Sequence, residues 1–313
     1  MTKERVNLNM TSTPDFLIVG AAKSGTSSLH SYLSRHPDIY MPEKRKELYF
    51  WHVVSNKNKS IVDRLGKECV PLKLEDYLSY FENAKEDQFT GEACPSYLYY
   101  YEHVLDNLKK YHSSWSDIKI IIILRNPIDR IASQYKFVCK KNLDPESLSF
   151  SASLAAERDR LKNNKMLPDL FYTDVSKYVD QVSFYLNNFN NVHVCLYDEL
   201  KDRPKELLEE LCKFIGVDAK RLPSFEFEVV NASNGAKKIK YPFFNRLAHR
   251  LGSVLFFWLP VKHKKRISAN FKSLVSEPIH IPEKELETLK ATFSEEIKML
   301  EILLQRDLSL WKR

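Results

Sequence analysis

The chain has 313 residues, with 48 Lys plus Arg against 41 Asp plus Glu, a formal charge of +7 and five Cys. Apolar residues at 43% and charged residues at 28% exclude a disordered chain, and only seven Gly exclude collagen-like and linker classes. The positive charge is modest and dispersed, which suits an anionic ligand or surface and gives no expectation of a nucleic-acid partner.

In chain order, strand-like apolar runs alternate with helix-like periods, the pattern of an α/β fold with a mainly parallel sheet. Phe16-Leu-Ile-Val-Gly20 reads as the first strand. After a short polar turn, Leu29, Tyr32 and Leu33 mark a helix, with His36 next in the period and Pro37 as its stop. Phe89–Glu92 is a weaker strand candidate. Ile118–Leu124 is β-branched and nearly continuous, as a strand covered on both faces should be. Asn126 can cap the helix that follows, and Pro127 suits its first turn. Tyr178, Val182, Tyr185 and Phe189 share a helical face, and Val192–Tyr197 follows as a strand. Leu207, Leu208, Leu211 and Ile215 mark a helix from about Pro204 to Gly216. Leu286, Leu289, Phe293, Ile297 and Leu300 mark the C-terminal helix. Segments 52–75 and 140–170 have no clear period and read as insertions over the sheet edge. No linker is evident, so a single domain over 1–313 is expected, with 1–13 as a flexible N-terminus and 241–280 as a helical arm. The fold class is therefore α/β, a P-loop-like three-layer fold with a mainly parallel central sheet flanked by helices.

The strongest local signal is Gly20-Ala-Ala-Lys23-Ser24-Gly25-Thr26-Ser27-Ser28, lying between a strand and a helix. This is where a doubly wound sheet binds phosphate, with backbone N–H groups of the turn aimed at the anion. Gly25 permits a backbone shape that other residues resist. Thr26, Ser27 and Ser28 add hydroxyl donors and Lys23 adds a point charge. Against the nucleotide-hydrolase pattern G-x-x-x-x-G-K-[ST], Gly20, Gly25 and Ser27 fit, but Thr26 fills the Lys slot. A kinase also needs an Asp for Mg²⁺, commonly at the end of a second strand, and here that strand ends in Arg125. A cation there repels a metal and attracts a second phosphate, so a polyanionic nucleotide without a metal is expected. Ser133, two turns into the next helix, and the Arg125 fork can grip one phosphate together.

These residues resemble a known family. Lys23-Ser-Gly-Thr-Ser-Ser-Leu29 is similar to the 5′-phosphosulfate loop of sulfotransferases, and Arg125 through Ser133 to their 3′-phosphate motif. Lys46-Glu-Leu-Tyr-Phe50, Gly91-Glu-Ala-Cys-Pro-Ser-Tyr97, Tyr197-Asp-Glu-Leu200 and Asp307-Leu-Ser-Leu-Trp311 stand in family-like order. Within the family the chain looks most like the branch of bacterial and heparan-type carbohydrate enzymes. The resemblance implies 3′-phosphoadenosine 5′-phosphosulfate (PAPS) as donor, 3′-phosphoadenosine 5′-phosphate (PAP) as product, and no metal.

The sulfuryl group carries less charge than the phosphoryl group in ATP chemistry, so lysine and backbone N–H groups can stabilise its transfer. Lys23 is then expected at the bridging oxygen of the leaving phosphate. Glu47 occupies the position that resembles the family's catalytic Glu, the general base for the acceptor hydroxyl. A free carboxyl titrates near 4, so that base must be tuned or held in place, and Lys46 beside it is expected to tune it or to touch the sulfonate. Glu43, in the same charge run, is the alternative carboxylate, and His52 and His30 are alternative bases. Glu92 is expected to contact the acceptor or to help position the base. Ala93 stands where heparan enzymes often have Lys, which weakens transfer of their specificity. Asn231–Lys240 is similar to a late basic loop that closes over the nucleotide, with Lys237 and Lys238 on the 3′-phosphate side, although the usual Arg is absent.

Aromatics in Phe243–Val261 lead into Lys262-His-Lys-Lys-Arg266, a pattern suited to anionic lipid, so 243–266 is a candidate for peripheral membrane contact. A lipid-linked glycan becomes attractive as acceptor, with Tyr97, Tyr99, Tyr100 and Tyr101 as platforms for sugar rings. There is no apolar leader and no run long enough to span a bilayer. Five Cys without a C-x-x-C pair suggest buried or free thiols in a reducing compartment, so cytoplasmic residence is expected. The leading reading is a PAPS-dependent sulfotransferase acting on a carbohydrate or lipid-linked glycan hydroxyl. A P-loop nucleotide kinase and a non-catalytic nucleotide- or glycan-binding relative are the alternatives.

Overall fold

The structure, a computed structural model, describes residues 13–54, 62, 70–140, 146–162, 168–224, 237–239 and 276–312. These fall into two compact units, one comprising 1–126, 177–230 and 295–313, the other 127–176 and 231–294.

The first unit is built on five parallel strands: β1 (Phe16–Gly20), β2 (Ile39–Tyr40), β3 (Phe89–Ala93), β4 (Lys119–Leu124) and β5 (Asn191–Leu196), in spatial order β2-β3-β1-β4-β5. Its helices are α1 (Thr26–Leu33), α2 (Phe50–Val53), α3 (Leu74–Leu78), α4 (Tyr101–Tyr111), α7 (Tyr178–Asn188), α8 (Tyr197–Asp202) and α9 (Pro204–Ile215). Phe16 and Ile18 of β1, with Ile121 and Ile123 of β4, join Leu29 and Leu33 of α1, Leu200 of α8 and Leu207, Leu208 and Leu211 of α9 in one apolar cluster. Leu17, Val19, Ile120 and Ile122 point the opposite way and are equally buried. Both faces are therefore covered, which is why the sequence of β4 shows no alternation. The α/β fold read from the sequence, a mainly parallel sheet flanked by helices, is the fold observed.

Several boundaries differ. The first helix ends at Leu33, before His36, whose ring is instead buried and bonded through Nε2 to the Asp218 carbonyl at 2.9 Å. Tyr197 leaves the strand to open α8. Helix α4, which the sequence reading did not single out, buries Val104, Leu105 and Leu108, and Asn107 on the same face donates from Nδ2 to the Trp51 carbonyl at 2.9 Å.

The second unit holds α5 (Pro127–Cys139), α6 (Phe150–Leu161), and β6 (Lys237–Ile239) paired antiparallel with β7 (Ser276–Pro278). Helix α10 (Glu283–Leu304) begins in this unit, and its residues from 295 belong to the first. Helix α6 lies within 140–170, where the sequence shows no clear period. Its inward face is polar, so it lacks an apolar stripe. Glu157 there accepts the backbone N–H groups of Thr173 and Asp174 at 2.9 and 2.8 Å. Arg160 clasps Glu146 with two bonds, and Tyr172 donates to the same carboxylate. Residues 1–12 and 240–275, hence the 243–266 segment and most of the expected arm, lie outside the described residues. Ser276–Pro278, at the end of that stretch, is strand rather than helix.

Gly91 of β3 faces Phe16 across the β1–β3 pairing, and a Cβ there would stand 2.1 Å from the Phe16 ring. Phe16 is fully buried and cannot yield without disturbing the cluster. Gly91→Ala should lower stability by about 1–3 kcal/mol in urea titration, the cost of overpacking a filled core. Unchanged stability would show that Phe16 can move aside.

Candidate active site

Parallel pairing sets β1 between β3 and β4, so the C-terminal ends of three strands open on one edge at the point where the strand order reverses. Ligands of open α/β sheets bind at such a point. Gly20 pairs with Ile122, and the Ala21 N–H continues the ladder to the Ile123 carbonyl at 2.7 Å. The turn that follows is thus held against the end of β4. Lys23 takes a left-handed backbone (φ 68°), and Gly25, at φ 100°, opens α1. A Cβ on Gly25 would come within 2.7 Å of Leu200 and 3.1 Å of Tyr197, so packing and backbone shape both require glycine.

Helix α1 starts without a side-chain cap and without an acidic residue in its first turn. Its first N–H groups have no intrahelical acceptor and carry the positive end of the helix dipole. The Ser24 hydroxyl is completely buried and has no partner among the described residues. Around this turn stand the cations. Arg125 donates from Nη1 to the Lys23 carbonyl at 3.4 Å, and its guanidinium lies 4.7 Å from the centre of the Tyr197 ring. That stack follows from register, because Leu124 pairs with Leu196 and the next residue of each strand is Arg125 or Tyr197. On the other side, the Lys46 ammonium donates to Ser27 Oγ at 2.8 Å and to Thr26 Oγ1 at 3.4 Å. The donor set is therefore uncapped N–H groups, hydroxyls and cations, which fits phosphate and sulfate oxygens. Among the described residues no three His, Cys, Asp or Glu side chains gather as metal ligands.

Glu47 reaches the same place through Lys46, whose ammonium is 3.4 Å from Glu47 Oε1. Tyr49 donates to Glu47 Oε2 at 2.5 Å. Glu47 is one-third exposed, whereas its neighbour Leu48 is buried. Glu43 is exposed and stands near Tyr40. His52 is buried, with Nδ1 on the Tyr49 carbonyl and Nε2 on Ser96 Oγ, both at 2.9 Å, and burial pushes its pKa down to about 3. Burial, with Lys46 nearby, also depresses His30, to about 4. His52 is thus committed at both ring nitrogens.

Glu92, expected to contact the acceptor or to help position the base, is fully buried in β3. Its Oε1 accepts from the Leu48 N–H at 3.2 Å and from Tyr97 OH at 2.8 Å, and its Oε2 from Tyr77 OH at 2.8 Å. Burial raises its pKa to about 7, and the three donors oppose that rise. Tyr97, expected as a sugar platform, is completely buried in this network, while Tyr99, Tyr100 and Tyr101 are half-buried.

The structure therefore brings together Lys23, Ser24, Gly25, Thr26, Ser27, Ser28, Lys46, Glu47 and Arg125. Ser133 lies in α5, in the second unit, and is buried. Lys237 and Lys238 lie in β6, beside α5, and their side chains fall outside the described residues, as does all of Asn231–Ala236. Sequence reasoning passed over Tyr49, Tyr197 and Trp311. Trp311 Nε1 donates to Asp198 at 2.9 Å and its carbonyl accepts from Asn126 Nδ2 at 3.2 Å, which ties the C-terminal turn beside Arg125. All three lie inside segments quoted above for the resemblance, which was the available signal.

Membrane-associated sulfotransferase kil1 of Dictyostelium discoideum is 31% identical over 150 residues, 47% of this chain and 28% of the relative. Bifunctional heparan sulfate N-deacetylase/N-sulfotransferase 1 of Caenorhabditis elegans is 26% identical over 71% of this chain and 24% of its own. The chain thus spans about a quarter of the length of these relatives. A crystal structure of a sulfotransferase from Alicyclobacillus acidocaldarius superposes with a TM-score of 0.68 at 29% identity, covering 97% of this chain and 100% of the other. The sulfotransferase domain model matches residues 13–241, a span that takes in the turn after β1, Glu47 and Arg125 alike, and the chain belongs to the sulfotransferase family.

Proposed function

We propose that the protein transfers a sulfuryl group from PAPS to a hydroxyl of a carbohydrate or lipid-linked glycan, with Glu47 as general base. The observation that carries this reading is the Lys46 ammonium, which bonds Ser27 of the phosphate turn and stands 3.4 Å from the Glu47 carboxylate. It joins an anion-binding turn to a partly exposed base, as in-line transfer between a phosphate leaving group and an acceptor hydroxyl requires.

Bound at the turn, PAPS supplies the sulfuryl group and a phosphate leaving group. Residues 24–28 offer N–H and hydroxyl donors to the 5′ side, and Lys23 neutralises charge on the bridging oxygen as its bond to sulfur breaks. Glu47 removes the acceptor proton as the acceptor oxygen bonds to sulfur, so the proton ends on the carboxylate and PAP departs. Lys46 holds the sulfonate side. In this reading Arg125, Ser133, Lys237 and Lys238 serve the 3′-phosphate, a role supported by the resemblance of their segments to the family's motifs. Relatives named for heparan sulfate support a carbohydrate acceptor. A nucleotide kinase is disfavoured by Arg125 at the end of β4, where a metal-binding Asp is wanted.

Lys23→Ala and Arg125→Ala should each weaken PAP binding about ten- to a hundredfold by calorimetry, the worth of one charged hydrogen-bond partner. Unaltered affinity in both variants would remove the nucleotide from this turn. Glu47→Gln should bind PAP as the parent does, yet lose about 10²–10⁴-fold in transfer from PAPS to desulfated heparan oligosaccharides. Full residual transfer would exclude Glu47 as the base.

A further inference from the structure

Glu92 is an expensive residue to keep. A carboxylate with no exposed surface loses its hydration, and a cation normally compensates. Here the partners found among the described residues are the neutral Leu48 N–H, Tyr77 OH and Tyr97 OH. The two tyrosines are themselves oriented: Tyr77 OH accepts from Trp51 Nε1 at 2.9 Å, and Tyr97 OH from the Trp51 N–H at 3.3 Å. With those acceptor positions filled, each hydroxyl turns its proton toward Glu92. The pocket is built for an acceptor-only group.

All these donors lead to one segment, 48–51. Leu48 N–H belongs to the peptide that links it to Glu47. The other end of that peptide, the Glu47 carbonyl, accepts from Arg45 Nε at 2.9 Å. One peptide plane is therefore gripped on both sides, and the Glu47 side chain leaves from its edge. The next residue, Tyr49, takes a left-handed backbone (φ 61°) and returns its hydroxyl to the Glu47 carboxylate. Trp51, fixed to both tyrosines, closes the segment from the far side.

We infer that Glu92 is a positioning residue for transfer: its carboxylate pins the Glu47–Leu48 peptide and so sets where the Glu47 carboxylate stands beside Lys46 and Ser27. This rests on the reading of Glu47 as base. Glu92 touches neither donor nor acceptor. Its effect passes through Glu47 alone, and that dependence separates it from a residue that merely supports the core.

The test uses the full chain with Glu92→Ala, Glu92→Gln, Glu47→Gln and the double variants. Without ligand, Glu92→Ala should speed hydrogen exchange at the Leu48 amide about tenfold or more, because the acceptor it has among the described residues is gone. PAP affinity should stay within about twofold of the parent, since the phosphate turn is untouched. Transfer from PAPS to desulfated heparan oligosaccharides should fall about a hundredfold in kcat, the scale of a misplaced catalytic group. Glu92→Gln keeps an oxygen for Leu48, so it should lose only about fivefold. In the Glu47→Gln background neither Glu92 change should cost more than about twofold, because the group they position is already absent. Losses that multiply in the double variants would overturn the inference, as would parental kcat in Glu92→Ala. Should Glu92→Ala fail to fold, the Glu92→Gln pair carries the same comparison, and a fivefold loss that persists in Glu47→Gln overturns it equally. Full transfer by Glu47→Gln alone would defeat the base assignment, while Leu48 exchange would still show whether Glu92 holds the peptide.

Discussion

Parallel pairing of β1 with β3 on one side and β4 on the other governs everything at this edge of the sheet. Backbone hydrogen bonds set Gly20 against Ile122, Leu17 against Glu92 and, one strand farther, Leu124 against Leu196. Those pairings bring the turn after β1, Arg125, Tyr197 and the buried carboxylate to one end, where Arg125 meets the Lys23 carbonyl and the Tyr197 ring. Slipping β1 by one residue would turn Phe16 and Ile18 away from their cluster and send Leu17 and Val19 into it. Both faces are apolar, so hydrophobicity alone would tolerate that slip. Shape does not, because Gly91 receives the Phe16 ring only in the observed register.

The electrostatic design has two parts of opposite sign. Around the turn after β1, cations and uncapped N–H groups gather with few carboxylates among the described residues to neutralise them. Beneath Glu47 lies the Glu92 carboxylate, whose partners among the described residues are two hydroxyls and one amide. Lys46 stands between them. Its side chain is largely buried, at 23% exposure, so its interactions with Ser27 and Glu47 are screened less than those of a surface pair. The contrast is plain beside Lys162 and Asp159, both mostly exposed, where an ion pair contributes little.

What the sequence disclosed follows from which physical signals are local. Strands β1 and β4 are continuous apolar runs, and α9 and α10 are long and periodic, so each announces itself. The turn after β1 is legible because Gly25, Lys23 and three hydroxyl residues sit within a few positions of a strand end. Glu47 is not legible locally: it is one charge in the run Glu43–Glu47, and only the family pattern singles it out. Helix α6 escapes because it buries Glu157 and Ser153 rather than an apolar stripe. The second unit escapes for another reason. Residues 127–176 are inserted between strands of the first unit, and no linker composition marks either junction. Tyr49 and Tyr197 act through single contacts whose partners come from backbone geometry, a left-handed residue and a strand register, neither of which leaves a periodic trace.

The turn around Trp311 has a bearing on biosynthesis. Trp311 bonds Asp198 at the start of α8 and Asn126 next to Arg125, and Arg306 reaches back to the Val194 carbonyl and to Glu199. A nascent chain emerges from the ribosome in sequence order, at about 5–20 residues per second. Strands β1 to β5 can pair as soon as residue 196 is outside the exit tunnel. The brace on the Arg125 corner must wait for residue 311, more than a hundred codons later.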